Sequence, residues 1–261
     1  MIPRIIHYCW FGGNPLPKLA EKCIKSWMKF CPDYQIIRWD ESNYDVSLAP
    51  LYVRQAYEAK KWAFVTDYVR LQVVYENGGI YLDTDVELIK PLDSFLKHGA
   101  YFGFENAKYV ATGLGFGAEK GNAVLMEMME DYHDIPFVLK DGSFDLLACP
   151  YRNTAVLDRM GLVANNSLQV LPGDILILPT TYLCPISFAT GERHISKETV
   201  SIHWYTASWR TEDQKKWDKC RQYRRRLGDF IDRLVHLPNK MLISLLGRDR
   251  YQRLKALLKG K

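Results

Sequence analysis

The stretch Gly78-Gly79-Ile80-Tyr81-Leu82-Asp83-Thr84-Asp85-Val86 restricts what this chain can fold into more than any other. Two glycines stop a helix, residues of strand character follow, and two carboxylates then stand two positions apart. In extended backbone, residues i and i+2 project to the same side. Asp83 and Asp85 are therefore expected to leave the end of a core strand together. Like charges that close repel unless a cation or an array of donors lies between them. A divalent ion held by oxygen ligands, and itself holding a diphosphate, resolves the repulsion. An Asp-x-Asp triplet alone arises about once by chance in a chain of this length, so its weight comes from its surroundings.

Those surroundings read as strand and helix in alternation. Pro3 to Phe11 is an apolar run closed by Gly12-Gly13-Asn14-Pro15, a buried strand leading into a loop. Leu19, Cys23, Ile24, Trp27, Met28 and Cys31 recur at three and four, which predicts an amphipathic helix over 17–31. Gln35 to Trp39 is a second strand, and the strand-helix-strand order argues for a parallel right-handed unit. A long helix is expected over 53–76, with Gly78-Gly79 at its end. Further strands are expected at 101–105, 112–118, 168–171, 175–178 and 201–204, with a helix over 121–133. Asn153 or Thr154 suits the start of another helix as an N-cap.

Asp67 and Arg70 lie i, i+3 on the helix before the carboxylates and so share a face. Either they form an intrahelical ion pair, or that face overlooks the carboxylate pocket. In the second case Asp67 accepts sugar hydroxyls while Arg70 neutralises a diphosphate.

Charge is unevenly distributed. Residues 210–261 hold 16 Lys/Arg against 6 Asp/Glu, which leaves 19 against 24 for residues 1–209 out of the totals of 35 and 30. A slightly acidic body over 1–210 thus precedes a basic helical extension over 211–261, where Leu227, Phe230, Ile231, Leu234 and Val235 form an apolar stripe among arginines. Such a stretch suits an anionic membrane surface. Nucleic-acid binding is not expected, because no recognition motif accompanies the patch. The six cysteines show no paired metal spacing and are expected as buried thiols. The N-terminal run is too short for a signal peptide, and no segment reaches the roughly 18 apolar residues that span a bilayer. A cytoplasmic protein, peripheral on the inner membrane face, is the expectation.

Ile6-His7-Tyr8-Cys9-Trp10-Phe11-Gly12-Gly13, Ala63 through Arg70, and Gly78 through Asp85 together resemble the DXD sugar-transferase region of glycosyltransferase family 32. The large clostridial toxin glucosyltransferase domains are more distantly similar. The resemblance covers roughly residues 1 to 120 and His203 to Trp209. It implies a GT-A fold, a Rossmann-like mixed sheet flanked by helices, with retaining transfer from a UDP- or GDP-sugar using Mn²⁺ or Mg²⁺.

By position, the resemblance makes Trp10 the aromatic that stacks on the nucleotide base, a placement that open α/β sheets favour. Asp67 and Arg70 match its sugar- and phosphate-contacting pair, Asp83 its first carboxylate and Asp85 its direct metal ligand. Tyr81 matches an aromatic before them. His203 would close the metal site, as neutral imidazole can beside carboxylates, while Ser208 and Trp209 would hold and cover the diphosphate. Cys149 stands where the family often carries Gly before Pro, and Asn153 is a candidate for facing the anomeric carbon or the acceptor. Gly113 and Gly115 would let backbone approach the sugar. Asp145 is a weak candidate for a nucleophile, so front-face transfer is preferred. The expected donor is UDP-galactose or a related hexose, and the acceptor a glycan or lipid-linked oligosaccharide of capsule assembly. The alternatives are a GDP-mannose-dependent mannosyltransferase, a toxin-like protein glycosyltransferase, or a non-catalytic sugar-nucleotide-binding module.

Overall fold

The computed structural model describes residues 1–206 together with Lys216, Cys220, Gln222, Tyr223, Gly247 and Arg250. The chain divides into two compact units, residues 1–188 with 192–209, and residues 189–191 with 210–261. Ser208, Trp209 and the apolar stripe of the basic extension lie outside the described residues. Among the described residues, no helix is long and apolar enough to cross a membrane.

The first unit opens with β1 (Ile5–Cys9), α1 (Lys18–Phe30) and β2 (Gln35–Trp39), and β1 pairs with β2 in parallel as the alternation requires. Helix α1 buries Ala20, Cys23, Ile24 and Trp27, the three-and-four stripe seen in the sequence. Next come α2 (Leu51–Glu58), α3 (Trp62–Asn77), β3 (Gly79–Tyr81) and β4 (Val86–Leu88). After them run β5 (Ala100–Gly103), β6 (Phe116–Ala118), α4 (Ala123–Glu130) and α5 (Cys149–Arg159). The described elements end with β7 (Gln169–Leu171), β8 (Ile175–Leu178), α6 (Thr180–Leu183) and β9 (Ser201–His203). Seven strands form one mixed sheet in the order β2-β1-β3-β6-β5-β8-β7, and β4 pairs with β9 in a separate two-stranded ribbon. This is the helix-flanked mixed α/β sheet that the alternation predicts.

From β3 into the following Leu82, side chains alternate between two cores: Ile80 and Leu82 share one with Trp27 of α1, whereas Tyr81 shares the other with Val69, Leu71 and Val73 of α3. Five cysteines are buried free thiols and Cys220 is exposed.

The structure corrects several boundaries. The helix expected over 53–76 is two helices, α2 and α3. Lys60 sits in the left-handed region at φ 55°, and the N–H groups of Lys60 and Lys61 bond the Tyr57 and Ala56 carbonyls, both at 2.9 Å. That is a Schellman stop made without glycine, which periodicity cannot see. Residues 112–114 form a single 3₁₀ turn ahead of β6 instead of strand. Asn153 does not cap a helix: α5 starts at Cys149 after Ala148, with Pro150 in its first turn, and Asn153 lies buried within it.

Candidate active site

Asp83 and Asp85 do not extend a strand. They lie in the turn between β3 and β4, where the Val86 N–H donates to the Asp83 carbonyl at 2.9 Å. The expectation of one extended segment is therefore wrong, because the chain must leave the large sheet here and enter the ribbon. The same-side rule holds one step earlier: Tyr81 and Asp83 share a face, and the Tyr81 hydroxyl donates to Asp83 Oδ1 at 2.9 Å.

The ribbon decides where Asp85 goes. Val86 is directly opposite His203 in the β4–β9 pair, and the Trp204 N–H donates to the Asp85 carbonyl at 3.0 Å. His203 Nε2 consequently lies 3.1 Å from Asp85 Oδ1. The other carboxylate oxygen accepts from both the N–H and the hydroxyl of Thr206, each at 2.8 Å. Burial alone would push the Asp85 carboxyl up, but the His203 charge and hydrogen bond, with Thr206, hold it well below the usual carboxylate range. Burial would lower His203, and the attraction of Asp85, then Asp83 and Glu105, outweighs it and raises the imidazole.

One donor atom each from Asp83, Asp85 and His203 lie within 4.8 Å of one another. Two carboxylate oxygens and an imidazole nitrogen form a donor set that suits a divalent cation. The chemistry of the residues present therefore fits a metal ion. His203 Nδ1, on the other side of the ring, is buried without a partner among the described residues.

Behind the carboxylates, α3 presents Asp67 and Arg70 on one face. Arg70 is locked: its Nε donates to the Thr66 carbonyl at 2.9 Å and its Nη2 to the Thr66 hydroxyl at 3.1 Å. Nη2 also lies 3.1 Å from Asp67 Oδ1 and 3.4 Å from Asp83 Oδ1. The guanidinium carbon stands 5.1 Å from the Tyr81 ring centre. Burial raises the carboxyls of both Asp67 and Asp83, with Arg70 opposing the rise in each. Asp67 and Arg70 are thus an ion pair and also a wall of the carboxylate site; the two readings of their spacing are one arrangement.

Gly113 closes that wall. A Cβ there would come within 2.7 Å of Asp83 Oδ2 and 3.1 Å of Arg70 Nη1. Gly115, at φ 108°, adopts a conformation that L side chains rarely reach, and a Cβ would meet Leu82 at 2.8 Å. Next to Gly113, the Thr112 hydroxyl donates to Asn153 Oδ1 at 3.1 Å, while Asn153 Nδ2 is buried without a partner among the described residues. Trp10 follows β1, half-buried, its indole N–H donating to the Asn14 carbonyl at 2.6 Å. Asp145 is engaged elsewhere, with Oδ1 accepting from the Leu147 N–H at 3.0 Å and Oδ2 paired with Arg152 at 2.5 Å. Thr206 and Glu105 were not singled out from the sequence. Thr206 stood inside the His203–Trp209 cluster without a chemistry of its own, and Glu105 belongs to no motif.

Comparison with known proteins adds identity to this geometry. The chain is 28% identical over 134 residues to inositol phosphoceramide mannosyltransferase 3 of Schizosaccharomyces pombe, a match covering 50% of this chain and 37% of that protein. It is 31% identical over 121 residues to the uncharacterized glycosyltransferase L373 of Acanthamoeba polyphaga mimivirus, covering 43% and 47%. The chain thus spans less than half the length of these curated relatives. Among solved structures, the PaToxG glycosyltransferase is similar at a TM-score of 0.47 and 20% identity, over 60% of this chain and 68% of that one. Residues 17–102, which carry α1, α3 and the Asp83-Thr84-Asp85 turn, match the family described as the glycosyltransferase sugar-binding region containing DXD motif. Over that segment the chain is similar to the DXD-motif glycosyltransferases.

Proposed function

We propose that this chain is a metal-dependent, retaining hexosyltransferase of GT-A type that uses a nucleotide-sugar donor. The convergence of Asp83, Asp85 and His203 beside the locked Arg70 supports this reading above all. Asp85, His203 and Asp83 would hold Mn²⁺ or Mg²⁺, which would supply positive charge for the diphosphate leaving group. Arg70 adds a fixed cation on the same side, Asp67 accepts from sugar hydroxyls, and the bare backbone at Gly113 admits the sugar. Trp10 stacks on the base, Asn153 faces the anomeric carbon or the acceptor, and Ser208 with Trp209 covers the diphosphate. Both oxygens of Asp145 are occupied, which favours front-face attack by the acceptor hydroxyl over a covalent intermediate.

The donor is proposed as UDP-galactose or a related UDP-hexose, and the acceptor as a glycan or lipid-linked saccharide in surface polysaccharide assembly. A GDP-mannose donor is the second reading, favoured by the name that the fission-yeast relatives carry. The basic extension over 211–261 would rest on the anionic cytoplasmic membrane face; its charge of 16 Lys/Arg against 6 Asp/Glu across 210–261 supports that placement. Removing residues 212–261 should then release the protein from anionic vesicles without abolishing donor hydrolysis, and a truncated chain that still pellets would defeat it. The deciding experiment for the reaction is a panel of UDP- and GDP-sugars, scored for Mn²⁺-dependent hydrolysis. One donor should turn over with metal and fail in Asp85→Ala. No gain in affinity for any donor on adding Mn²⁺ would end the proposal.

A further inference from the structure

Glu105 follows β5 on a short hairpin closed by the Phe104–Val110 bridge, and its N–H donates to the Tyr109 carbonyl at 2.8 Å. Its carbonyl accepts from the Cys184 thiol at 3.5 Å, and the same sulfur lies 2.8 Å from the Tyr205 hydroxyl. The Tyr205 ring stands edge-on to the His203 imidazole, with centroids 4.2 Å apart. This run of contacts links the Glu105 backbone to the ring packed against the metal-site histidine, and the Glu105 charge acts on that imidazole. Its side chain is half-buried and makes no hydrogen bond or ion pair among the described residues. Burial pushes its carboxyl up, and the His203 ring draws it partly back.

His203 turns Nε2 to Asp85 and leaves Nδ1 buried with no partner among the described residues. An imidazole that binds a metal through one nitrogen almost always donates the other N–H to a carboxylate, a carbonyl or water, and this bond sets the ring's tautomer and aim. Asp83 and Asp85 belong to the ligand cluster, and Asp145 is held by Arg152. Among the described residues, Glu105 is a carboxylate without hydrogen bond or ion pair whose charge acts on this ring.

We propose that Glu105 is a positioning residue for His203, receiving the Nδ1–H of the imidazole directly or through one water when Nε2 carries the ion. The proposal rests on the metal site put forward above and adds the group that keeps the Nε2 lone pair free and aimed. Replacing such a partner typically lowers metal affinity about 10- to 100-fold.

The test is calorimetric titration of the full chain with MnCl₂ alone, for the parent, Glu105→Gln and Glu105→Asp. Glu105→Gln should bind Mn²⁺ about 10- to 100-fold more weakly, and Glu105→Asp should recover much of the loss. Because the Glu105 carboxylate makes no hydrogen bond or ion pair among the described residues, the metal-free melting temperature of Glu105→Gln should stay close to that of the parent. The Mn²⁺-induced rise should shrink. On the unaltered chain, ¹⁵N-histidine spectra with diamagnetic Mg²⁺ should place the His203 proton on Nδ1. Parent-level Mn²⁺ affinity in Glu105→Gln, or a proton on Nε2 with Mg²⁺ bound, overturns the assignment. If the parent itself binds no Mn²⁺, the metal site falls and the Glu105 role with it; if the parent binds and Glu105→Gln binds equally, only Glu105 is wrong. Should Glu105→Gln fail to fold, Glu105→Ala takes its place in the titration, with the same loss expected and parent-level affinity again overturning the assignment.

Discussion

His7 Nε2 donates to the carbonyl oxygen of Gly78 at 2.9 Å, joining the first strand to the glycine that ends α3. The Trp39 indole N–H donates to His7 Nδ1 at 3.0 Å, so the imidazole is neutral and its single proton sits on Nε2. Gly79 gives the ring its space, since a Cβ there would lie 2.9 Å from Nε2. This contact sets the point from which β3 carries the chain to Asp83.

A pH dependence of stability follows from that ring. Burial lowers the His7 pKa below its ordinary value of 6.5, with the Gly78 bond only partly opposing it. The unfolded chain therefore takes up the proton first, so this stabilisation is complete above about pH 6.5 and declines as pH falls toward the folded-state value. Melting temperatures recorded from neutral to acid pH should fall more steeply for the parent than for His7→Gln. At neutral pH the variant should be less stable by about 1–3 kcal/mol, the cost of disturbing buried hydrogen-bonded groups. Parallel pH profiles would contradict the neutral-ring assignment.

Gly113→Ala should act on the chemistry more than on the fold. The added methyl has to displace Asp83 Oδ2, Arg70 Nη1 or the 112–114 turn. Displacements near 1 Å at a reacting centre cost up to about 100-fold. kcat/KM with the preferred donor should drop by at least tenfold, roughly 1.4 kcal/mol. Unchanged kinetics would show that the sugar does not approach this backbone.

Arg70→Lys is not a conservative change here. A lysine cannot bond Thr66 through two nitrogens while reaching Asp67 and Asp83. Turnover should fall by about 100- to 1,000-fold. Arg70→Ala should also cost about 3–5 kcal/mol of stability, because buried Asp67 and the partly buried Asp83 would lose their cation. Chemical denaturation separates the two effects, and a fully active lysine variant would remove Arg70 from the reaction.

Thr206 aims Asp85. Thr206→Val keeps the N–H donor and removes the hydroxyl, a bond to a charged acceptor worth about 1.5–3 kcal/mol. Mn²⁺ affinity should fall by roughly tenfold, less than in Asp85→Asn, which should lose binding altogether. Equal losses in the two variants would mean that Thr206 does more than orient the carboxylate.

Patterns confined to one element were legible from the residues alone. The stripe of α1, the parallel β1–α1–β2 unit, and the shared face of Asp67 and Arg70 each depend on a period within a single segment. The break at Lys60 is invisible in the sequence, because a left-handed lysine carries no compositional mark. The path of Asp83-Thr84-Asp85 departs from the extended segment that local pattern predicts, because the chain passes from one sheet to another there and sheet membership is settled by distant partners.

What the amino-acid order determined by itself was the chemistry available: two carboxylates after a glycine pair, an arginine one helical turn from an aspartate, and a histidine among aromatics. Only the tertiary structure decided how those groups meet. The β4–β9 register sets His203 against Asp85, and Thr206 then claims one oxygen of that carboxylate. Ligand geometry depends on backbone pairing between segments far apart in the chain, and no local period records it.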